Sequence, residues 1–279
     1  MQISPRRIMS PLLAALVGGL PLSPAVAQNA PAPAPGYERS MPAPGPYEAS
    51  LDRLLAARSY DGVGKAVLQD VKDMDTAVRA LNWLRAKSLG GGGLYIAYLY
   101  SAALWRMANS IPEPNKSGLQ QSAAVQLQLA RWLLQAEGFQ CADTSAPRSR
   151  YVAIEGPLMD VGRYYAALPA ATKKSVDDLA FRALTQLFRL RPNDVWMCSG
   201  GMAQYGKYFE KHPEVGNKEI GTLGQAGKTI VLPADPSILP DFVVFPDWKA
   251  KRRAALDKIA DEIGATRLSD YGDSTSRMR

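Results

Sequence analysis

The chain has 279 residues, 47% of them hydrophobic and 21% charged, which is ample material for a buried core. It holds one His and two Cys, which excludes His-rich metal centres, zinc ribbons and iron–sulfur sites; neither a metal nor a cofactor is expected. Its net charge of +7 is basic but moderate, and it does not call for nucleic acid as a partner.

The N-terminus reads as an address. Arg6 and Arg7 precede an apolar stretch from Ile8 to Leu22, and Ala25-Val26-Ala27 forms a small-x-small cleavage site. This pattern predicts a secretory signal peptide over residues 1–27, removed from a periplasmic or secreted protein. Pro11, Gly18, Gly19 and Pro21 interrupt the stretch, so no integral membrane span is expected after cleavage. Residues 28–46 alternate Pro and Ala, a composition that favours extended polyproline II and predicts a disordered linker.

From Tyr47 the pattern is helical, and residues 47–268 are predicted to form a single domain. Residues 48–58 carry Leu51, Leu54 and Leu55, and Asp61 is placed to cap a short helix bearing Val63, Val67 and Val71. Asp73 or Asp75 starts the next helix, with Val78, Leu81 and Leu84 inward, and Gly90 stops it. Residues 94–109 are apolar nearly all round, which predicts a central buried helix. After Pro112 and Pro114, a long helix starts at Asn115 or Ser117 and runs to Gly138. Residues near 158–168 are predicted helical. Thr172 is the expected cap of the clearest helix, whose Val176, Leu179, Ala180, Ala183, Leu184 and Leu187 follow the 3.6-residue period up to Pro192. A shorter helix covers 200–211.

Residues 213–246 then break the pattern with five Pro and four Gly, predicting an irregular arm with two short β-like runs, Thr229–Leu232 and Phe242–Phe245. Asp247 is expected to cap a last helix, Trp248 to Ile263, and residues 269–279 form a polar tail expected to fray.

The fold class is therefore all-α: an irregular bundle of about eight or nine helices with one Pro/Gly-rich arm. Helical-hairpin repeats are the alternative arrangement. The run from Ala180 to Gly200 resembles the junction of two tetratricopeptide repeats, but Pro213 falls where the following helix must continue and no 34-residue period recurs. In an oxidising compartment Cys141 and Cys198 are expected to pair, which predicts Cα atoms within about 7 Å of each other.

Candidate chemistry is sparse. Gly224-Gln225-Ala226-Gly227-Lys228-Thr229 resembles the end of a phosphate-binding P-loop, but the residues that follow read as strand rather than helix. His212 lacks a triad pattern, and Ser199 lacks the leading Gly of a nucleophile elbow. Glu155 follows Tyr151-Val152-Ala153-Ile154, and a carboxylate in apolar company is suited to general-acid work. Together with Gly201-Met202-Ala203-Gln204 it resembles wall-cleaving enzymes that use one Glu in a helical domain. The Ser that follows their Glu is absent here, and helix capping is the competing role.

Tyr95, Tyr98 and Trp105 share a helix face, where rings either stack on sugar or peptide or build core. With Lys228, Phe242, Phe245, Lys251 and Arg252 they make up the expected interaction surface. The leading expectation is an exported, non-catalytic binding protein whose partner is another envelope protein or wall polymer. The alternatives are a glycan-cleaving enzyme acting through Glu155 and a structural envelope component.

Overall fold

The computed structural model of the chain describes residues 45–213, 235 and 237–271. The expected signal peptide, nearly all of the Pro/Ala stretch, Lys228 with its glycine-rich run, the Thr229–Leu232 run and the last residues of the tail lie outside the described residues. Among the described residues the protein is all-helical, with eleven α-helices and no strand.

In chain order these are α1 Pro46–Ala56, α2 Tyr60–Leu68, α3 Met74–Leu89, α4 Leu94–Ala108, α5 Asn115–Glu137, α6 Ser145–Glu155, α7 Met159–Ala167, α8 Ala170–Gln186, α9 Val195–Cys198, α10 Met202–Lys211 and α11 Phe245–Ile263. Two single 3₁₀ turns, Gly138–Gln140 and Phe188–Leu190, continue the ends of α5 and α8.

Most helices begin and stop for the reasons their sequence states. Asp73 caps α3 by accepting the Thr76 N–H at 2.7 Å. The long helix α5 ends at Glu137, just before Gly138, and α11 closes on Gly264 in the left-handed conformation (φ 63°). Three starts differ from the sequence reading. α2 begins at Tyr60 with Ser59 at the N-cap, so Asp61 is a first-turn acid facing the helix dipole rather than the cap. α8 begins at Ala170 behind Pro169, ahead of Thr172, because Pro holds the chain extended up to the first turn. α11 begins at Phe245, since Pro246 suits a first-turn position and Asp247 becomes an acid facing the helix dipole rather than a cap.

The core centres on the α4–α5 hairpin. α4 buries residues all round its circumference, among them Leu94, Ile96, Ala97, Leu99 and Leu104. Ala103 on α4 and Ala123, Ala124 and Ala130 on α5 are small enough for close packing, and Ser101 Oγ donates to the Ala123 carbonyl at 2.8 Å between the two helices. Leu127 and Leu133 on α5 are fully buried, each burial contributing roughly 1.5–3 kcal/mol. Helices α3, α8, α7 and α11 pack around this hairpin. Among the described residues no helix is long and apolar enough to cross a membrane.

A buried ionic cluster joins α5 to the C-terminal half. Glu137, at the end of α5, takes a forked contact from Arg191, with Nη2 at 2.8 Å and Nε at 3.1 Å from Oε1. Arg252 of α11 is fully buried; its Nη2 lies 3.9 Å from Glu137 Oε1 and its guanidinium lies 3.4 Å from the centre of the Phe188 ring. Arg252 also donates to the Tyr271 carbonyl at 3.3 Å. Tyr271, which the sequence reading places in the fraying tail, is fully buried: its ring packs edge-on to Phe181 and its hydroxyl donates to Asp257. An aromatic side chain with a hydrogen-bonded hydroxyl anchors the chain beyond the expected boundary at 268.

Candidate functional site

The residues at the N-terminal ends of α4 and α9 show how the putting-together of distant segments builds a cleft. Asp194 caps α9 by accepting the Met197 N–H at 2.8 Å, and its second oxygen accepts the Leu94 N–H of α4 at 2.6 Å. A Cβ on Gly93 would stand 2.2 Å from that oxygen, so the position requires glycine. Part of the glycine run before α4 thus admits a carboxylate from the chain itself. Burial lifts the Asp194 carboxyl above the ordinary aspartate range, against the pull of the two N–H groups that favour its charged form.

Cys141 and Cys198 are disulfide-bonded with their Cα atoms 5.0 Å apart, as their expected pairing requires. The bridge ties the end of α9 to the turn after α5. The arm reaches the same place: the Val243 N–H donates to the Gln140 carbonyl at 2.8 Å, and Phe242 forms an isolated bridge with Cys141.

The first turn of α10 is capped from α6. The Ala203 N–H donates to Asp143 Oδ2 at 2.7 Å and the Met202 N–H to Ser145 Oγ at 2.9 Å. Between α9 and α10, Gly200 has φ +80°, a conformation that a side chain would strain, and Gln204 Oε1 accepts its N–H.

These links enclose a cleft of about 330 Å³ between the start of α2, α6, α9, α10 and the end of the arm. Its lining includes Ser59, Tyr60, Asp61, Arg150, Trp196, Tyr205 and Asp235. The Arg150 guanidinium lies 4.5 Å from the centre of the Trp196 ring, and its Nε donates to the Trp196 carbonyl at 2.8 Å. Burial lowers the Arg150 pKa from its ordinary value. Trp196 in turn lies parallel to Tyr98, with ring centres 6.1 Å apart, and 5.0 Å from Tyr95. Burial pushes the Tyr60 hydroxyl up to about 12.

The structure redistributes the residues expected from sequence. Tyr95 is buried, donating its hydroxyl to the Tyr60 carbonyl, so it supports the cleft wall rather than a surface. Tyr98 is half-buried behind Trp196. Trp105 lies away from the cleft, 5.5 Å from Tyr164. Phe245 packs on Phe188 and Trp248. Lys251 is exposed, whereas Arg252 is not available to a partner at all; the basic run of α11 conceals one residue that turns inward to Glu137.

Glu155 does not line the cleft. It ends α6, and both its oxygens accept from Arg131, at 2.7 and 2.9 Å, instead of capping the following helix. Its apolar company in sequence does not persist in space, because Tyr151 and Val152 face outward and only Ile154 is buried. Ser199 Oγ donates to the Val195 carbonyl at 2.6 Å. His212 stacks on Tyr208 and lies 3.1 Å from Asp235, whose carboxyl is held well below the usual range mainly by Lys211, then by Ser237 and His212.

Sequence reasoning did not select Tyr60, Arg150, Trp196 and Tyr205 as site residues. The available signal was Trp196 within Val195-Trp196-Met197-Cys198-Ser199-Gly200-Gly201, an aromatic beside a bridged Cys and two glycines. Comparison with family models, curated proteins and solved structures finds no match to this chain.

Proposed function

We propose that this chain is an exported, non-catalytic binding protein of the cell envelope, tethered by its Pro/Ala-rich linker and engaging wall polymer at the cleft walled by α2, α6, α9 and α10. The observation that carries this reading is a guanidinium, Arg150, fixed on Trp196 at the lining of a cleft that also presents the rings of Tyr60 and Tyr205, the Ser59 hydroxyl and the charged Arg58, Asp61 and Asp235. Such a surface offers a fixed cation, rings and polar groups for recognising a ligand. The geometry of Glu155 supports the same reading: a forked contact with Arg131 occupies both oxygens, whereas a general acid must offer one of them to a glycosidic oxygen.

The test is incubation of the mature protein, beginning at Gln28, with insoluble cell-wall glycan. The expected outcome is co-sedimentation with the glycan and no soluble fragments, in the wild type and in Glu155→Gln alike. Release of fragments that disappears in Glu155→Gln establishes the enzyme instead.

A further inference from the structure

Building on that binding role, we infer that the cleft takes a saccharide unit bearing a carboxylate, with Arg150 as the carboxylate receptor and Tyr205 as the stacking ring. Arg150 is held by its Nε bond to the Trp196 carbonyl and by its contact with the indole. No carboxylate of the described residues lies within ion-pairing distance of it, and its two terminal nitrogens donate no hydrogen bond to them. A guanidinium that has given up part of its hydration, with Asp194 and Asp61 acting on it only from beyond ion-pairing distance, and whose plane is already fixed, is preorganised for a planar anion taken side-on.

The rest of the lining narrows the anion. Asp61 and Asp235 also border the cleft beside Arg58, with Asp235 already paired to Lys211, a mixed field in which a single carboxylate needs less compensating positive charge than a dianion such as phosphate. The Tyr60 hydroxyl has no hydrogen-bond partner among the described residues, and Ser59, its neighbour in the chain, also lines the cleft. These hydroxyls, with the Asp61 carboxylate, offer donors and acceptors to a polyhydroxylated ligand. Tyr205 is 38% exposed and presents an aromatic face for the C–H side of a sugar ring.

The main chain does not favour an extended peptide. The Gly200 N–H is already taken by Gln204 and the Ser199 N–H by the Trp196 carbonyl, so the turn between α9 and α10 offers neither to strand-like pairing. The volume of about 330 Å³ suits one or two sugar rings.

Isothermal titration of the disulfide-bonded chain tests the assignment with five probes: N-acetylmuramic acid, D-glucuronic acid, N-acetylglucosamine, sodium acetate and a tripeptide with a free C-terminus. At least one acidic sugar is expected to bind saturably, and about tenfold or more tighter than N-acetylglucosamine, acetate or the tripeptide. Arg150→Gln should remove that preference for the acidic sugar. Tyr205→Ala, at an exposed position that leaves the fold intact, should weaken the acidic sugar several-fold without touching the charge.

Equal binding of the neutral sugar, or acetate as tight as the acidic sugar, overturns the assignment. So does tighter binding of the tripeptide, or an unchanged affinity in Tyr205→Ala. If no sugar binds while the protein still co-sediments with wall glycan, only this assignment falls; loss of co-sedimentation removes the binding role itself.

Discussion

The α4–α5 centre and the cleft end are stabilised in different ways. The centre is aliphatic and periodic: Leu94, Leu99, Leu127 and Leu133 are buried by helices of 15 and 23 residues, and each contact is one of many similar ones. The cleft end is built from α9, a single turn of four residues that buries Trp196, Met197 and Cys198, and α10, of ten residues, which buries only Tyr208. It is held by point links: the disulfide, the double cap of Asp194, the Glu137–Arg191 pair and the Asp143 cap of α10. Packing tolerates partial relaxation, whereas a point link is either made or lost. A recognition surface gains from the second kind of support, because a few fixed atoms set the position of Arg150 and Trp196.

This contrast predicts an order of effects. The largest is expected from Glu137→Ala, which removes the buried carboxylate that Arg191 and Arg252 share, at a cost of about 4 kcal/mol. Leu127→Ala in the centre should cost less, about 3 kcal/mol, measured beside it by urea unfolding. A larger loss for the Leu variant would place the decisive support in the aliphatic core.

Replacing both Cys141 and Cys198 by Ser is expected to cost about 3 kcal/mol, below the roughly 4 kcal/mol that loop closure over 57 residues allows. The loss should loosen the cleft end first. Hydrogen exchange should therefore rise in α9 and α10 while α5 stays protected, and uniform loss of protection would contradict the division.

Asp194→Ala removes two helix caps and should cost about 2 kcal/mol, seen as a lower Tm with faster exchange at both Leu94 and Met197. An effect confined to α9 would mean that the α4 cap contributes nothing.

The smallest effect concerns pH. Asp177, beside the centre, accepts from Tyr165 and Gln128, yet burial dominates and raises its carboxyl above the ordinary aspartate range. A carboxyl raised by folding contributes stability that is present below its unfolded pKa, about 3.9, and is lost as pH rises through the folded value. Asp177→Asn abolishes that loss. The difference in unfolding free energy, variant minus wild type, should rise as pH increases from about 3 through the folded value and then level off. A falling difference would mean that the Tyr165 and Gln128 bonds outweigh burial.

Legibility in the sequence follows the same division. The apolar run of α4, the Gly138 stop and the 3.6-residue stripe of α8 declare themselves because burial there repeats along the chain. The even cysteine count gave the bridge. α6 escaped because it buries only Ala146 and Ile154, so no stripe forms, and α9 is too short to have a period. Arg252 was misread because its partner, Glu137, sits on a different helix and leaves no mark on the local charge pattern. The cleft was illegible for the same reason: Tyr60, Arg150, Trp196 and Tyr205 come from four separate helices, and nothing in one stretch announces the others.

The Asp194 cap also bears on the chronology of folding. α4 starts on Gly93, which brings no capping side chain, and the carboxylate that serves it lies 100 residues further along the chain. During synthesis this apolar helix, buried all round, therefore emerges well before the residue that locks its first turn. Any nascent chain ending short of Asp194 carries α4 with water in place of that lock, so its N-terminal end is secured only after the second half of the domain has arrived.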